Sequence, residues 1–160
     1  MTYLLAITLL HVAISLIAIV AGFIVMYQML QSRESLAWTK WFLVMTVLTS
    51  VTGFGFPVSQ ILPSHVFAVI SLVALGLAIY ARYSRLLSGG WRTTYVVTAI
   101  LSQYLNVFVL VVQSFQKIPA LHALAPTQSE LPFAIAQGLT LIAFIAWGIL
   151  GVKRFRGVSP

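Results

Sequence analysis

The chain has 160 residues, 61% hydrophobic and 7% charged. Ordinary soluble domains carry about 25% charged residues, so a soluble fold of this composition is excluded. Its net charge of +7 comes from Lys and Arg set at the ends of apolar runs, the pattern of topology determinants and headgroup contacts rather than of a nucleic-acid patch. With no cysteine, disulfides, thiolate metal sites and thiol catalysis drop out.

The first apolar run extends from Tyr3 to Leu30. No basic segment precedes it and the first positive charge is Arg33, so it reads as a membrane helix rather than a secretory signal. A start of Met-Thr and the absence of Cys leave no lipidation sequence. His11, Ser15, Ala18 and Gly22 share one side of this helix.

Trp38 to Thr52 is the second run, short against the roughly 20 residues that a span needs. It ends at Gly53-Phe54-Gly55-Phe56-Pro57. Either it crosses as a short span over about residues 38–53, the favoured reading, or it is re-entrant through Pro63. Thr46, Thr49, Ser50 and Gly53 fall on one side of it. The third run covers residues 64–87, with Ser71, Ala74, Ala78, Arg82 and Arg85 on a common face.

Run four, Trp91 to Phe115, carries the most informative pattern. Ser102, Gln103, Asn106, Gln113 and Lys117 project onto one arc of about 100°. Amides in hydrocarbon require partners, so this stripe either cross-links helices or lines a ligand- or water-filled site. After it, the segment from Lys117 to Pro126 has Leu121, Leu124 and Ala125 at helical spacing, which predicts a short interfacial helix between two prolines. Thr127 and Glu130 stand in the T-x-x-E relation of a capping box and should start the fifth helix, with Pro132 in its first turn. That helix runs over about residues 132–152, and Glu130, Gln137 and Thr140 share a face.

Five crossings separate the charges sharply. Arg33, Lys40, Arg82, Arg85, Arg92, Lys153, Arg154 and Arg156 then lie on one side, with Lys117 alone on the other. Cytoplasmic loops are enriched in Lys and Arg, so the expected fold is an all-α membrane protein: a bundle of five transmembrane helices forming one domain, N-terminus outside and C-terminus cytoplasmic. A bacterial inner membrane is the expected location. The aromatic residues Tyr27, Trp38, Trp41, Tyr80, Tyr83, Trp91, Tyr95 and Trp147 favour the same cytoplasmic interface.

Under this topology His65, Lys117, His122 and Glu130 form an outer polar cluster, and His11 lies about 12 Å below Tyr3. Gln103, Asn106, Gln113, Gln137 and His11 are the candidate ligand-binding residues. A binding or accessory subunit holding a lipid- or quinone-like amphiphile, or docking a membrane complex, fits them best. An oligomeric small-molecule carrier is the second reading. Haem b held by His11 and His65 is the third, with their unequal depths against it. Zinc has no H-E-x-x-H or cysteine motif to support it, and no nucleophile, base and orienting group come together for an enzyme.

Overall fold

The computed structural model describes residues 2–56 and 63–157. These residues contain helices and no strand: α1 (Thr2–Leu30), α2 (Leu36–Gly53), α3 (Pro63–Ile79) with a π-helical continuation (Tyr80–Ser84), α4 (Trp91–Lys117), α5 (Pro119–Leu124) and α6 (Leu131–Arg154). Four helices, α1, α3 with its continuation, α4 and α6, are long and apolar enough to cross a membrane. The chain is thus an integral membrane protein. The re-entrant alternative for the second run rests on residues 57–62, which lie outside the described residues.

Local chemistry explains where the helices stop. Ser32 takes a left-handed φ of 52° and Ser35 is extended, which separates α1 from α2 by a tight turn. The third helix loosens into a π-turn, Arg85 N–H donating to Tyr80 C=O at 3.0 Å, and then Leu86 and Leu87 turn left-handed at φ 47° and 57°. Helical structure therefore ends at Ser84 and not at Leu87 as the hydropathy suggests. Burial of Leu87 in the core offsets the cost of its backbone conformation.

The start of α6 also differs from expectation. Glu130 itself occupies the cap position and Leu131 is the first helical residue, with Pro132 just inside. The Thr127 N–H and hydroxyl both donate to Glu130 Oε1, at 3.1 and 2.9 Å, so one half of a capping box exists as a clasp in the preceding loop. Gln128, left-handed at φ 60°, breaks the turn that a helix beginning at Thr127 would need.

The long helices alternate in direction. Contacts from Phe115–Phe133 through Tyr104–Phe144 to Arg92–Phe155 make α4 and α6 antiparallel. Phe67–Phe108 and Tyr80–Trp91 do the same for α3 and α4. α4 is the hub, touching α1, α2, α3, α5 and α6. By contrast α6 leaves Ile135, Leu139, Ile142, Ile145 and Ile149 on the outside.

At mid-height α1 meets α4 through a polar contact. Gln103, 0% exposed, donates from Nε2 to the Ile19 carbonyl at 2.8 Å, and its amide lies on Gly22. A Cβ at position 22 would stand 2.1 Å from Gln103 Oε1. Beyond this contact Val25, Met26, Phe42, Leu75, Ala78, Ala99 and Ile100 fill the interior toward the charge-rich end. There Glu34 and Arg82 form an ion pair, Arg92 Nη1 donates to Phe155 C=O, and the Arg156 N–H donates to Ser32 Oγ at 3.0 Å.

Gly22→Ala should destabilise the fold by about 1–3 kcal/mol, the usual cost of overpacking. Adding Gln103→Ala should recover part of that loss, because the two positions are coupled through one contact. Denaturant unfolding of the single and double variants in mixed micelles measures both effects.

Candidate functional site

A cavity of about 770 Å³ lies between the halves of α1 and α4 that approach the α5 end, with α2 and α3 contributing the remaining walls. Alternation of helix direction brings these segments together: the first half of α1, the last turn of α2, the start of α3 and the last half of α4 all sit at this end. Ile19 and Leu105 line its deepest part, next to the Gln103 contact. Lys117 and Ile118 line the opposite end, where α4 stops.

Most of the polar side chains around the cavity are already paired. His11 Nδ1 is 2.8 Å from Thr52 Oγ1, and its ring meets Phe56 edge-on at 5.3 Å. Ser50 Oγ donates to Ser71 Oγ at 3.3 Å, and Asn106 Nδ2 to Thr46 Oγ1 at 3.3 Å. The hydroxyls of Thr8, Ser15 and Ser114 turn back onto the carbonyls of Leu4, His11 and Leu110. Ser/Thr back-bonding of this kind satisfies a hydroxyl within its own helix and turns its apolar side outward. Val12, Leu16, Ile19, Phe67, Leu105 and Val109 complete a predominantly apolar wall.

The residues expected from the sequence divide into two groups. His11, His65, Asn106, Gln113 and Lys117 all line this cavity. Gln103 and Gln137 do not: Gln103 ties α4 to α1, and Gln137 Nε2 donates to the Phe108 carbonyl at 3.2 Å, tying α6 to α4. The stripe on α4 is therefore both glue and lining, in adjacent turns. His122 is exposed on α5, and Glu130 faces the loop clasp, so these two members of the outer cluster stand apart from the cavity.

His11 and His65, on α1 and α3, both line the cavity. His65 also stacks on Phe54 at 5.5 Å. Among the described residues no group of three or more His, Asp or Glu side chains is placed to hold a metal ion. Thr52, Ser50 and Ser71, the partners that complete the polar wall, were not singled out as pairs by the sequence. A tight turn at residues 31–35 makes α1 and α2 a hairpin, and folding the sequence about that turn sets His11 opposite Thr52.

Comparison with known proteins finds no matching family, no matching curated protein and no matching solved structure.

Outside the membrane helices, one carboxyl has a shifted titration. Partial desolvation raises the Glu130 pKa, but hydrogen bonds from the Thr127 backbone and hydroxyl, and from the backbone of Glu130 and Ser129, outweigh it and hold the pKa below its ordinary value of 4.5. A depressed carboxyl pKa stabilises the folded loop fully above the unfolded value and loses that contribution as pH falls through the folded value. Protection of the Thr127 and Ser129 amides from hydrogen exchange should accordingly fall as pH drops below about 4.5. In Glu130→Gln the protection should be weaker at neutral pH and flat across the same range.

Proposed function

We propose that the chain is a non-enzymatic membrane binding protein whose α1–α4 cleft holds a lipid- or quinone-like amphiphile. The observation that carries this reading is the cleft itself. Its volume of about 770 Å³ falls within the roughly 300–1,000 Å³ of small-molecule sites, and its apolar wall is interrupted by a few polar groups. A carrier would need a route onward from the cleft, and the packed layer around Met26, Phe42, Leu75 and Ala99 stands in the way.

We further infer that α2 crosses with the other four long helices, giving five spans. Supporting this, α2 meets α1 along its length, from the turn at residues 31–35 to the His11–Thr52 contact, and its buried residues Thr39, Phe42, Leu43, Thr46 and Ser50 face the bundle. The eight basic residues at one end support a cytoplasmic position for that end, N-terminus outside, with the cleft then opening toward the outer face of a bacterial inner membrane.

The chain contains no cysteine, so single introduced cysteines report topology without background. In intact cells a membrane-impermeant maleimide should label Ser129→Cys and spare Ser88→Cys. The reverse pattern would overturn either the orientation or the crossing of α2, and Gln31→Cys in the α1–α2 turn separates the two: it should be spared together with Ser88→Cys, and a different result at these two positions would overturn the five spans.

Native mass spectrometry of detergent-purified protein should reveal a retained amphiphile. Gly53→Leu should expel it while preserving helicity, because a Cβ there meets only the His11 ring, at 3.8 Å, and the longer side chain enters the cleft. Asn106→Leu should weaken retention similarly. Identical retained masses in all three proteins would defeat the reading, and a Soret band in the wild-type spectrum would replace it with haem binding.

A further inference from the structure

We propose that the mouth of the cleft selects an oxyanion head group, a phosphate monoester or a carboxylate, carried on an alkyl chain that descends between α1 and α4. This specificity rests on the amphiphile-binding reading above and adds the chemistry of the head and the depth that its tail reaches.

Charge is the first support. No Asp or Glu lines the cavity among the described residues, whereas Lys117 does, and it is the lone Lys or Arg at this end of the bundle. The nearest carboxylate in sequence, Glu130, is not part of the lining and is engaged by Thr127. A cationic head would meet an uncompensated positive charge, and an anionic one a charge-assisted hydrogen bond.

The second support is the distribution of spare hydrogen-bonding capacity. Deeper in the cleft Ser50 is paired with Ser71 and Asn106 with Thr46, and Thr49 keeps a single unpartnered hydroxyl, too few donors to hold a multi-oxygen anion. At the mouth Gln113 and Lys117, one turn apart on the same face of α4, make no hydrogen bond or ion pair among the described residues. The amide offers two donors and the ammonium three, a set suited to a multi-oxygen anion. Lys117 could instead merely complement the carboxyl end of the α4 dipole. That role would not involve Gln113 and would not depend on a ligand's charge.

Third, the cleft is closed below. Gln103 lies across Gly22 next to Ile19, so a tail entering beside Lys117 has a fixed depth in which to lie. From Lys117 to Leu105 along α4 that depth is about 18 Å at 1.5 Å per residue. An extended alkyl chain fits within that depth and volume.

The test uses the full chain in phosphatidylcholine nanodiscs, with empty nanodiscs as the partition blank. Radiolabelled dodecyl phosphate and dodecanoate should each bind saturably at one site per chain, about tenfold more tightly than dodecanol, while dodecyltrimethylammonium stays at the blank. Lys117→Gln should erase the preference of the anions over dodecanol, and Lys117→Arg should keep most of it. Across octyl, decyl, dodecyl, tetradecyl and hexadecyl phosphate, affinity above the blank should rise about fourfold per methylene and then level off when the tail reaches Ile19.

Equal affinity for dodecanol and dodecyl phosphate, or a Lys117→Gln variant that keeps the preference, would overturn the anionic head while leaving amphiphile binding in place. Displacement by inorganic phosphate as effective as by dodecyl phosphate would overturn the lipid source in favour of a soluble anion. If no alkyl probe saturates above the blank, and Gly53→Leu matches wild type, the amphiphile reading falls with the specificity.

Discussion

The architecture turns on one interhelical contact, the Gln103 amide laid over the α1 backbone at Ile19 and Gly22. A buried amide in a membrane interior must find partners, and the Gln103 Nε2 donor finds one in a backbone carbonyl that is already part of a helix. Such a bond forms only where two helix backbones come close, and glycine at position 22 supplies that proximity. The contact thereby fixes the height at which α1 and α4 touch. On one side of it the two helices share a packed core, and on the other side lies the cleft.

The two ends of the bundle are stabilised differently for this reason. At the basic end, Glu34 from the α1–α2 turn meets Arg82 from the π-turn, while Arg92 and Arg156 hold the segment after α6 against α4 and against the first turn. A buried ion pair adds little net stability over an apolar substitute, but leaving one partner unpaired is strongly unfavourable, so the pair acts chiefly to fix which segments meet. Widening of α3 into a π-turn places Arg82 within reach of Glu34. At the other end the bundle is joined by short self-contained motifs, the α5 turn and the Thr127–Glu130 clasp. The cleft accordingly opens at the end with fewer cross-links.

Much of this was legible in the residues. Apolar runs mark every long helix, two prolines mark α5, and the polar stripe on α4 marks the side of that helix that faces its neighbours. What the stripe could not show is that it spans two seams. Gln103 and Asn106 are three residues apart, yet the first is directed to α1 and the second to α2, because an arc of about 100° is wide enough to meet both. Gln137 looked equivalent and is not, since α6 packs on the far side of α4 from the cleft. Glu34 was hidden for another reason: a lone acid in a basic turn reads as solvated, and its partner Arg82 lies in a distant run. Hydropathy also carried the third helix past Ser84, because Leu86 and Leu87 are apolar whatever their backbone conformation.

A cleft built from paired polar groups behaves differently from one lined by free ones. Unpaired hydroxyls and amides would draw water into the membrane, and the cavity would then favour polar solutes. Here the hydroxyls of Thr8, Ser15 and Ser114 return to their own helices, and Ser50 pairs with Ser71 and Thr46 with Asn106, which leaves the Thr49 hydroxyl within the cleft and Gln113 and Lys117 at its mouth as the unpaired groups. Desolvating such pairs costs little further, so an alkyl chain can lie against them with small penalty. Helix–helix glue and ligand lining are therefore not competing uses of the same polar residues. Pairing them across the seams both holds the helices together and leaves an apolar surface between them, and it is this double role that lets so small a bundle keep an open cleft beside a packed core.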